Sequence, residues 1–282
     1  HLAAGMPGRL GTYGGNEACR RADLLLTLGC RFDDRVASSW LDGYTFNIPP
    51  TRHIQVDIVP EEIGRNYPVD LGLAGDISAL LDQLIALAES NSGNNDKNAE
   101  WVRSVQDWRA QWDLVYSENE VSDIYPVRPE RLIKELMSVA PDNTILAADV
   151  GIHHNWLVQL WQPRQTRSFL QAWGFGAMGF GVCGVLGAKL AAPDRPCVAV
   201  VGDGAFAMHA HAVTTAVEYD LPVVWVVWNN QGYCSIRAMQ LGHFGQELAT
   251  SFTHEPSGEL FTPNCAAMAK ACGAEGIQVQ NA

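Results

Sequence analysis

The 282-residue sequence has no run of basic residues, and its formal net charge is −12. A nucleic-acid partner requires a basic patch or stripe, so this composition excludes that class of partner. The seven cysteines form no CxxC pair. An odd number of scattered thiols is typical of a reducing compartment and not of a disulfide-stabilised secreted protein, so we expect a cytoplasmic protein.

We identify no signal peptide in these residues and expect no membrane span, because no uninterrupted apolar run is long enough to cross a bilayer. The most apolar segment, residues 174–192, contains six glycines and is followed at once by Pro193. This predicts a buried helix and no membrane partner. No GxGxxG motif opens either half of the chain, which argues against an NAD-binding Rossmann enzyme. Because the chain begins at His1 and ends after a strand-like run, we expect both ends to be cut.

What the sequence does contain is an alternation of short apolar runs and amphipathic segments. Apolar residues make up 47% of the chain and charged residues 18%, so two domains of ordinary size can each bury a core. Such alternation is typical of parallel βαβ units. We therefore predict an α/β fold with two domains, each with a parallel sheet flanked by helices, over residues 1–90 and 125–282, joined by a linker and helix over 91–124.

Several elements are predicted from the local pattern. In the first domain, strands are predicted over 22–28, 53–58 and 73–76, and an amphipathic helix over 78–88. The polar segment 89–97, rich in Gly and Asn, is typical of a linker, and a tryptophan-rich helix follows. In the second domain the predicted elements that bear on the site are a helix over 156–161, a glycine-rich helix over 177–190 and a last strand over 275–280.

Residues 198–237 are the stretch around which the second domain is organised. One apolar run ends at Gly202-Asp203-Gly204, and the next ends at Asn229-Asn230. Because the carboxyl ends of parallel strands meet at one edge of a sheet, we expect both loops where ligands bind.

The residue types in these two loops indicate a metal-bound diphosphate. A carboxylate, an amide oxygen and a backbone carbonyl form a hard-oxygen set that suits Mg²⁺, which often takes further oxygens from a phosphate. Gly202 and Gly204 let a diphosphate approach the backbone, and the helix start after Gly204 favours anions. We therefore predict that Asp203 and Asn230 hold a diphosphate through Mg²⁺.

GDG followed after 24 residues by NN resembles the signature of thiamine diphosphate enzymes, and the wider sequence resembles the acetolactate synthase (acetohydroxyacid synthase) large-subunit family. The resemblance implies that Gly232 adds its carbonyl to the Mg²⁺ ligands Asp203 and Asn230. It also implies that Gly204 and Ala205 donate backbone N–H groups to the diphosphate. The other wall of that pocket is then formed by four consecutive residues: Val150, Gly151, Ile152 and His153.

The resemblance gives two further residues a role beside the cofactor rings. It places Met178 as an apolar wedge between the pyrimidine and the thiazolium, and it makes the Gly176 carbonyl the acceptor for the 4′-amino group. The alternative interpretations are that Met178 is an ordinary core residue and that His153 belongs to a hydrogen-bonded turn.

The resemblance also implies the reaction and the partners. The reaction would be the decarboxylation of a 2-oxoacid followed by transfer of the remaining fragment to an acceptor. In this family the activating glutamate lies on a separate pyrimidine-binding domain, N-terminal to everything in this chain, which meets the diphosphate domain across a dimer interface. We therefore expect a homodimer or homotetramer, and we expect this chain by itself to be inactive.

The first domain resembles the family's central domain, whose loops hold an FAD in acetolactate synthases. By analogy, Arg31 and Arg35 contact the diphosphate or the adenine of an FAD, and Asp57 contacts its ribose. FAD is therefore a candidate second cofactor. The alternative interpretation is a surface cluster of charges, because related enzymes keep this fold without flavin.

The sequence departs from the acetolactate synthase pattern beyond the second asparagine. Met239 stands where that family has a tryptophan that shapes the acceptor pocket. Tyr233, which we count among the cofactor-contacting residues, and Arg237 are candidates for facing the substrate. The alternatives are another thiamine diphosphate enzyme (an oxidase, a decarboxylase or a C–C hydrolase) and a non-catalytic nucleotide-binding module.

Overall fold

The structure is a computed structural model that describes residues 2–90 and 98–281. The chain divides into two compact units, His1–Glu118 and Asn119–Ala282. Most of the predicted linker, residues 91–97, lies outside the described residues. Each unit contains a parallel sheet flanked by helices, so the predicted α/β class is confirmed.

The first unit is built on a three-stranded parallel sheet with the order β1-β2-β3. Its helices and strands in chain order are α1 (Tyr13–Arg21), β1 (Leu24–Leu28), β2 (Arg52–Asp57), β3 (Leu71–Ala74), α2 (Ile77–Ser90) and α3 (Ala99–Tyr116). The tryptophan-rich helix α3 packs on α1. There the guanidinium of Arg21 lies 5.5 Å from the centroid of the Trp108 ring, which Trp101 meets edge-on. These tryptophans therefore serve packing.

The second unit is built on a four-stranded parallel sheet with the order β5-β4-β6-β7. Its helices and strands in chain order are α4 (Pro129–Val139), β4 (Ile145–Ala148), α5 (Ile152–Leu160), β5 (Phe169–Gln171), α6 (Phe180–Ala191), β6 (Cys197–Gly202), α7 (Asp203–His209), α8 (Ala212–Glu218), β7 (Val224–Trp228), α9 (Cys234–Phe244) and α10 (Cys265–Ala271). None of the helices in the described ranges of either unit is long and apolar enough to cross a membrane.

The central strands of this sheet are buried on both faces. Because successive side chains of a strand point to opposite faces, Ala147 and Ala199 pack in a core with α6, α7 and α8, whereas Leu146 and Val200 pack in a core with α4 and α5. Helices therefore cover both faces of the sheet, and the loops at the carboxyl ends of its strands are left at one open edge.

Three element predictions for this unit are wrong in detail. The helix predicted over 177–190 begins only at Phe180, because Gly179 has a left-handed φ of 95°, so Met178 lies in a loop. The helix predicted over 156–161 begins earlier, at Ile152. The strand predicted over 275–280 is not formed, because it finds no neighbouring strand among the described residues; Ile277 in its middle is exposed.

Candidate active site

The carboxyl ends of β4, β6 and β7 meet at one edge of the second sheet. β4 and β6 are paired so that Ala148 lies opposite Val200, and β6 and β7 are paired so that Gly202 lies opposite Trp228. The loops that begin after these strands therefore start side by side. This is the edge at which parallel α/β sheets bind ligands.

The Asp203 carboxylate joins two of these loops. It is 2% exposed; its Oδ1 accepts from the Gly204 N–H at 2.8 Å, and its Oδ2 accepts from the Gly232 N–H at 3.3 Å. Burial raises the pKa of this carboxyl, and backbone hydrogen bonds from Gly204 and from residues 230–232 oppose that rise. The loops after β6 and β7, which the sequence predicts to converge, therefore meet at this side chain.

Asn230 adds an oxygen for which the described chain provides no donor. Its Oδ1 is buried and has no hydrogen-bond partner there. A buried polar atom left unsatisfied in this way costs about 1–3 kcal/mol, so the position suits a ligand that supplies the missing interaction. With the neighbouring carboxylate of Asp203, it offers the hard oxygens that Mg²⁺ prefers. The residues present therefore fit a Mg²⁺ ion and the phosphate oxygens that would complete its coordination.

The loop that carries Gly232 is held by backbone hydrogen bonds to a neighbouring segment. The Tyr233 N–H donates to the Thr250 carbonyl at 2.8 Å, and the Phe252 N–H donates to the Gln231 carbonyl at 2.9 Å. A Cβ on Gly232 would lie 2.4 Å from the Thr250 carbonyl oxygen. Only glycine therefore fits this close approach of two backbones.

The first turn of α7 is covered by an aromatic ring. Gly204 and Ala205 are buried, and a Cβ on Gly204 would lie 2.6 Å from Cε1 of Tyr233. The Tyr233 ring meets Phe252 edge-on, with 5.0 Å between the ring centroids. The structure thus brings Tyr233 against the predicted diphosphate loop, and its ring packs on that loop's backbone.

His153 forms the facing wall. It is 2% exposed, and burial lowers its pKa to about 4, aided by His154 and opposed by a hydrogen bond to the Asp149 backbone. The imidazole is therefore neutral at pH 7. Its Nε2 is buried without a partner among the described residues. The hydrogen bond to the backbone carbonyl of Asp149 is therefore donated by Nδ1, and Nε2 of the neutral ring presents a lone pair. Its Cε1 would lie 3.3 Å from a Cβ on Gly202, which brings this wall against the end of β6.

The other predicted residues of this wall lie in the turn between β4 and α5. The Val150 N–H donates to Oδ1 of Asp149 at 2.7 Å. A Cβ on Gly151 would lie 2.8 Å from Cε1 of His153, and Ile152 opens α5. The four consecutive residues 150–153 therefore stand at the same sheet edge as the carboxylate of α7.

Asp149 is the residue of this edge to which the sequence analysis assigns no role. It is 0% exposed, and its carboxylate accepts four backbone N–H groups at 2.7–3.2 Å, those of Val150, Gly179, Gly181 and Val182. The signal that could have found it is the one that indicates Asp203: an aspartate directly after a buried apolar strand.

The loop before α6 carries the two predicted ring-contacting residues. Met178 is half-buried and packs against the core formed by α6, α7 and α8. Gly176 has a left-handed φ of 72°. Next to them, a Cβ on Gly179 would lie 2.4 Å from the ring of His209, whose Nδ1 is 3.3 Å from the Ala205 carbonyl oxygen. The loop is therefore packed against α7, which begins at Asp203.

In the first unit, the predicted FAD-contacting residues follow the ends of its strands. Asp57 closes β2, and its Oδ1 accepts from the Val59 N–H at 2.9 Å. Arg31 and Arg35, in the loop after β1, are exposed. The structure brings Asp57 and Arg31 to the carboxyl edge of the same sheet, and it places Arg35 further along that loop, where its carbonyl accepts from the Arg9 N–H at 2.8 Å.

Two family models match the chain, one in each of its two units. Residues 149–282 match the family model of the C-terminal TPP-binding domain of thiamine pyrophosphate enzymes, and residues 1–84 match the model of their central domain. The first of these matches begins at Asp149 and covers every predicted metal and diphosphate residue.

Curated relatives resemble the chain over most of its length. The protein named "Probable acetolactate synthase large subunit" from Methanococcus aeolicus is 34% identical over 242 residues, which cover 82% of this chain and 39% of the relative. The protein of the same name from Methanocaldococcus jannaschii is 32% identical, covering 87% of this chain and 41% of the relative. The acetolactate synthase isozyme 3 large subunit of Escherichia coli K12 is 29% identical, covering 99% and 46%.

The chain spans less than half the length of each of these three relatives. The chain belongs to the thiamine pyrophosphate enzyme family, of which it carries the central domain and the C-terminal TPP-binding domain.

Proposed function

We propose that the protein acts as a thiamine diphosphate- and Mg²⁺-dependent enzyme that decarboxylates a 2-oxoacid and joins the remaining fragment to an acceptor, as the names of its relatives indicate. The observation that carries the proposal is the buried Asp203 carboxylate beside the loop in which Asn230 Oδ1 is buried without a donor from the described chain. A single divalent cation with a bound diphosphate satisfies both groups.

Each residue of this loop pair has a defined task in the proposal. Asp203 and Asn230 hold Mg²⁺ through side-chain oxygens, and Gly232 holds it through its carbonyl. Gly204 and Ala205 donate backbone N–H groups to the diphosphate, and the Tyr233 ring packs on this turn. Gly202 leaves room between the end of β6 and the facing imidazole.

The facing wall supplies an acceptor and excludes water. Residues 150–152 close the pocket, and the neutral imidazole of His153 can accept a proton donor of the ligand at Nε2. Gly176 and Met178 would contact the cofactor rings, the first through its carbonyl and the second as an apolar wedge. When bound, the thiazolium of the cofactor supplies the electron sink for decarboxylation.

We also propose that the catalytic assembly is larger than this chain. A pyrimidine-binding domain and a second subunit would complete the site, in a homodimer or homotetramer, and the chain alone would bind the cofactor without turning over substrate. All seven cysteines are free thiols, which fits the proposed cytoplasmic location. FAD, held near Arg31, Arg35 and Asp57, is proposed as a second cofactor without a redox role.

Calorimetric titration of thiamine diphosphate into the chain tests the metal assignment. We expect binding with Mg²⁺ and its loss when a chelator removes the ion. Asn230→Ala should abolish it, whereas Asn229→Ala is the matched control, because this neighbouring asparagine is exposed and its Oδ1 accepts from the Gln231 N–H at 3.3 Å. If the affinity for thiamine diphosphate did not depend on Mg²⁺, or if both variants lowered it equally, the result would support a non-catalytic nucleotide-binding module instead.

The reaction itself is tested in the full-length protein. Incubation with a 2-oxoacid should release CO₂ and form a product with a new C–C bond. Release of an aldehyde alone would identify a decarboxylase, and consumption of O₂ would identify an oxidase. Cleavage of a 1,3-dicarbonyl substrate without CO₂ release would identify a C–C hydrolase.

A further inference from the structure

The carboxylate of Asp149 lies at the end of β4 and is saturated by the protein's own backbone. Its Oδ2 accepts from Gly181 at 2.9 Å, from Gly179 at 3.1 Å and from Val182 at 3.2 Å, and its Oδ1 accepts from Val150 at 2.7 Å and from Gly179 at 3.0 Å. A carboxylate with two oxygens offers about four acceptor positions. These bonds occupy the carboxylate, so Asp149 is not available as a proton carrier or as a metal ligand.

Three of these donors belong to the start of α6. The first four N–H groups of a helix have no acceptor within the helix, and Asp149 accepts those of Gly181 and Val182. The contact is close, because a Cβ on Gly181 would lie 2.8 Å from the Asp149 nitrogen. The negative charge also lies at the helix end that favours it. Asp149 therefore fastens the beginning of α6 to the carboxyl end of β4.

The segment fastened in this way is the end of the loop that carries Gly176 and Met178. The other end of the loop contacts the first turn of α5. The Gln171 side chain is 2.9 Å from Nε2 of His154, and the Trp173 ring lies 4.8 Å from the imidazole of His154. Between these ties the backbone makes a left-handed turn at Gly176. The loop is therefore clamped at both ends by side chains that lie five positions apart.

We propose that Asp149 is a positioning residue for the ring-binding half of the cofactor site. It acts through the loop of residues 172–178, whose Gly176 carbonyl and Met178 side chain it places relative to the metal-binding half. This inference rests on the proposed function, because it takes the rings of thiamine diphosphate as the groups that the loop contacts. It assigns Asp149 no contact with the cofactor itself.

Two probes separate the halves of the site. Thiamine diphosphate contacts the loop of residues 172–178 as well as the metal and diphosphate residues, whereas inorganic pyrophosphate with Mg²⁺ does not reach that loop. In Asp149→Asn the remaining oxygen can still accept the Val150 N–H, which keeps the wall of residues 150–153 in place. The NH₂ group at the Oδ2 position then faces the N–H groups of Gly181 and Val182, so those buried hydrogen bonds are lost. We expect affinity for thiamine diphosphate to fall about tenfold or more. Affinity for pyrophosphate should stay within about twofold.

Glu130→Gln is the matched control. Glu130 is also a buried carboxylate of the second unit, but it lies in the first turn of α4 and accepts from the Asn119 side chain at 2.9 Å. We expect it to leave the affinities for both probes unchanged. If Asp149→Asn weakened both probes equally, or neither, the positioning role would be wrong while the proposed function stood. If the wild-type chain bound neither probe, the proposed function would be wrong, and this inference with it.

Hydrogen exchange of the wild-type chain tests the same contact without a variant. The amides of Gly181 and Val182 would exchange rapidly if they had no acceptor. With Asp149 as their acceptor, we expect them to be protected like the interior of α6. Exchange at the rate of an unstructured peptide would overturn the proposal, even if the Asn variant could not be purified in folded form.

Discussion

His53 of the first unit and His153 of the second are both almost fully buried, and they differ in what surrounds them. His53 on β2 is 0% exposed; its Nε2 is 2.9 Å from the Thr27 hydroxyl and its Nδ1 is 3.1 Å from the Pro68 carbonyl oxygen. His153 is 2% exposed, and its Nε2 has no partner in the described part of the chain. Burial lowers the pKa of both imidazoles, but only the first unit satisfies both ring nitrogens.

The difference shows where a ligand is expected. In the first unit the chain itself satisfies the polar side chains of β2: Gln55 donates to two backbone carbonyls and accepts from Gly64, and Asp57 accepts from Val59. In the second unit Asn230 and His153 each retain an unsatisfied buried atom at the sheet edge. Other buried polar atoms of the described chain also lack a partner, but these two lie at the carboxyl edge of the sheet, where parallel α/β sheets bind ligands. This placement fits a site that a ligand completes.

The largest expected loss of cofactor affinity is at Asp203, and Asp76, which also follows a strand, is its control. Asp203→Asn should lower Mg²⁺-supported affinity for thiamine diphosphate by at least about 100-fold, since even residues outside the metal's own ligands contribute 10–100-fold to metal affinity in other proteins. Asp76 of the first unit also follows a strand and accepts a backbone N–H, that of Ala79 at 2.9 Å. Asp76→Asn should leave affinity unchanged in calorimetry. Equal losses would mean that the effect is general destabilisation.

A smaller loss of cofactor affinity is expected when a side chain is added at Gly232, where two backbone segments lie close together. Gly232→Ala forces its new Cβ against the Thr250 carbonyl oxygen, and displacement of the metal loop should weaken cofactor binding about 30-fold, roughly 2 kcal/mol. Gly242 in α9 has open space around it. Gly242→Ala should bind normally and unfold at a slightly higher temperature, because alanine favours helix. Normal binding by Gly232→Ala would show that this loop does not shape the site.

Burial of His153 predicts that the free energy of unfolding depends on pH. The folded-state pKa of His153, about 4, lies below its unfolded value near 6.5. Below about pH 6.5 the unfolded chain therefore binds a proton that the folded chain does not, and stability is lost as the pH falls towards 4. The loss from this group amounts to roughly 1–2 kcal/mol by about pH 5.

Urea unfolding at about pH 7 and pH 5 measures this slope. His153→Gln should be less sensitive to acid than the wild type, whereas His53→Gln should be destabilised already at neutral pH, because it disrupts hydrogen bonds to Thr27 and Pro68. An unchanged acid sensitivity in His153→Gln would mean that this imidazole is not held neutral by burial.

The smallest expected effect concerns the exposed arginines of the first unit. Arg31→Ala and Arg35→Ala should leave thiamine diphosphate affinity within about twofold, since exposed charges contribute little to a site in another unit. The same variants should reduce retention of flavin absorbance in the full-length protein if FAD binds there. Retention equal to the wild type would remove both residues from the flavin site.

The sequence supports the fold class and the convergence of the loops for a physical reason. An apolar strand followed by polar residues predicts where a strand ends, and parallel pairing then brings Asp203 and Asn230 to one edge. It does not predict contacts that depend on segments far apart in the chain. The packing of Tyr233 on Gly204, with Phe252 behind it, and the capping of α6 by Asp149 are both of this kind.

The exact bounds of helices and strands are a second feature that the local sequence pattern does not predict. A glycine-rich apolar segment predicts a helix from its composition, but the left-handed Gly179 delays the start to Phe180 and leaves Met178 in a loop. The apolar run at 275–280 predicts a strand, but a strand also needs a neighbour, which the local pattern does not contain.

Electron paramagnetic resonance with Mn²⁺ in place of Mg²⁺ tests the central claim most directly. After titration of the wild-type chain with the Mn²⁺–pyrophosphate complex and removal of the unbound complex by gel filtration, about one Mn²⁺ per chain should remain with the protein. In Asp203→Asn little or no Mn²⁺ should remain with the protein. Undiminished Mn²⁺ binding by that variant would contradict a metal held between the loops after β6 and β7.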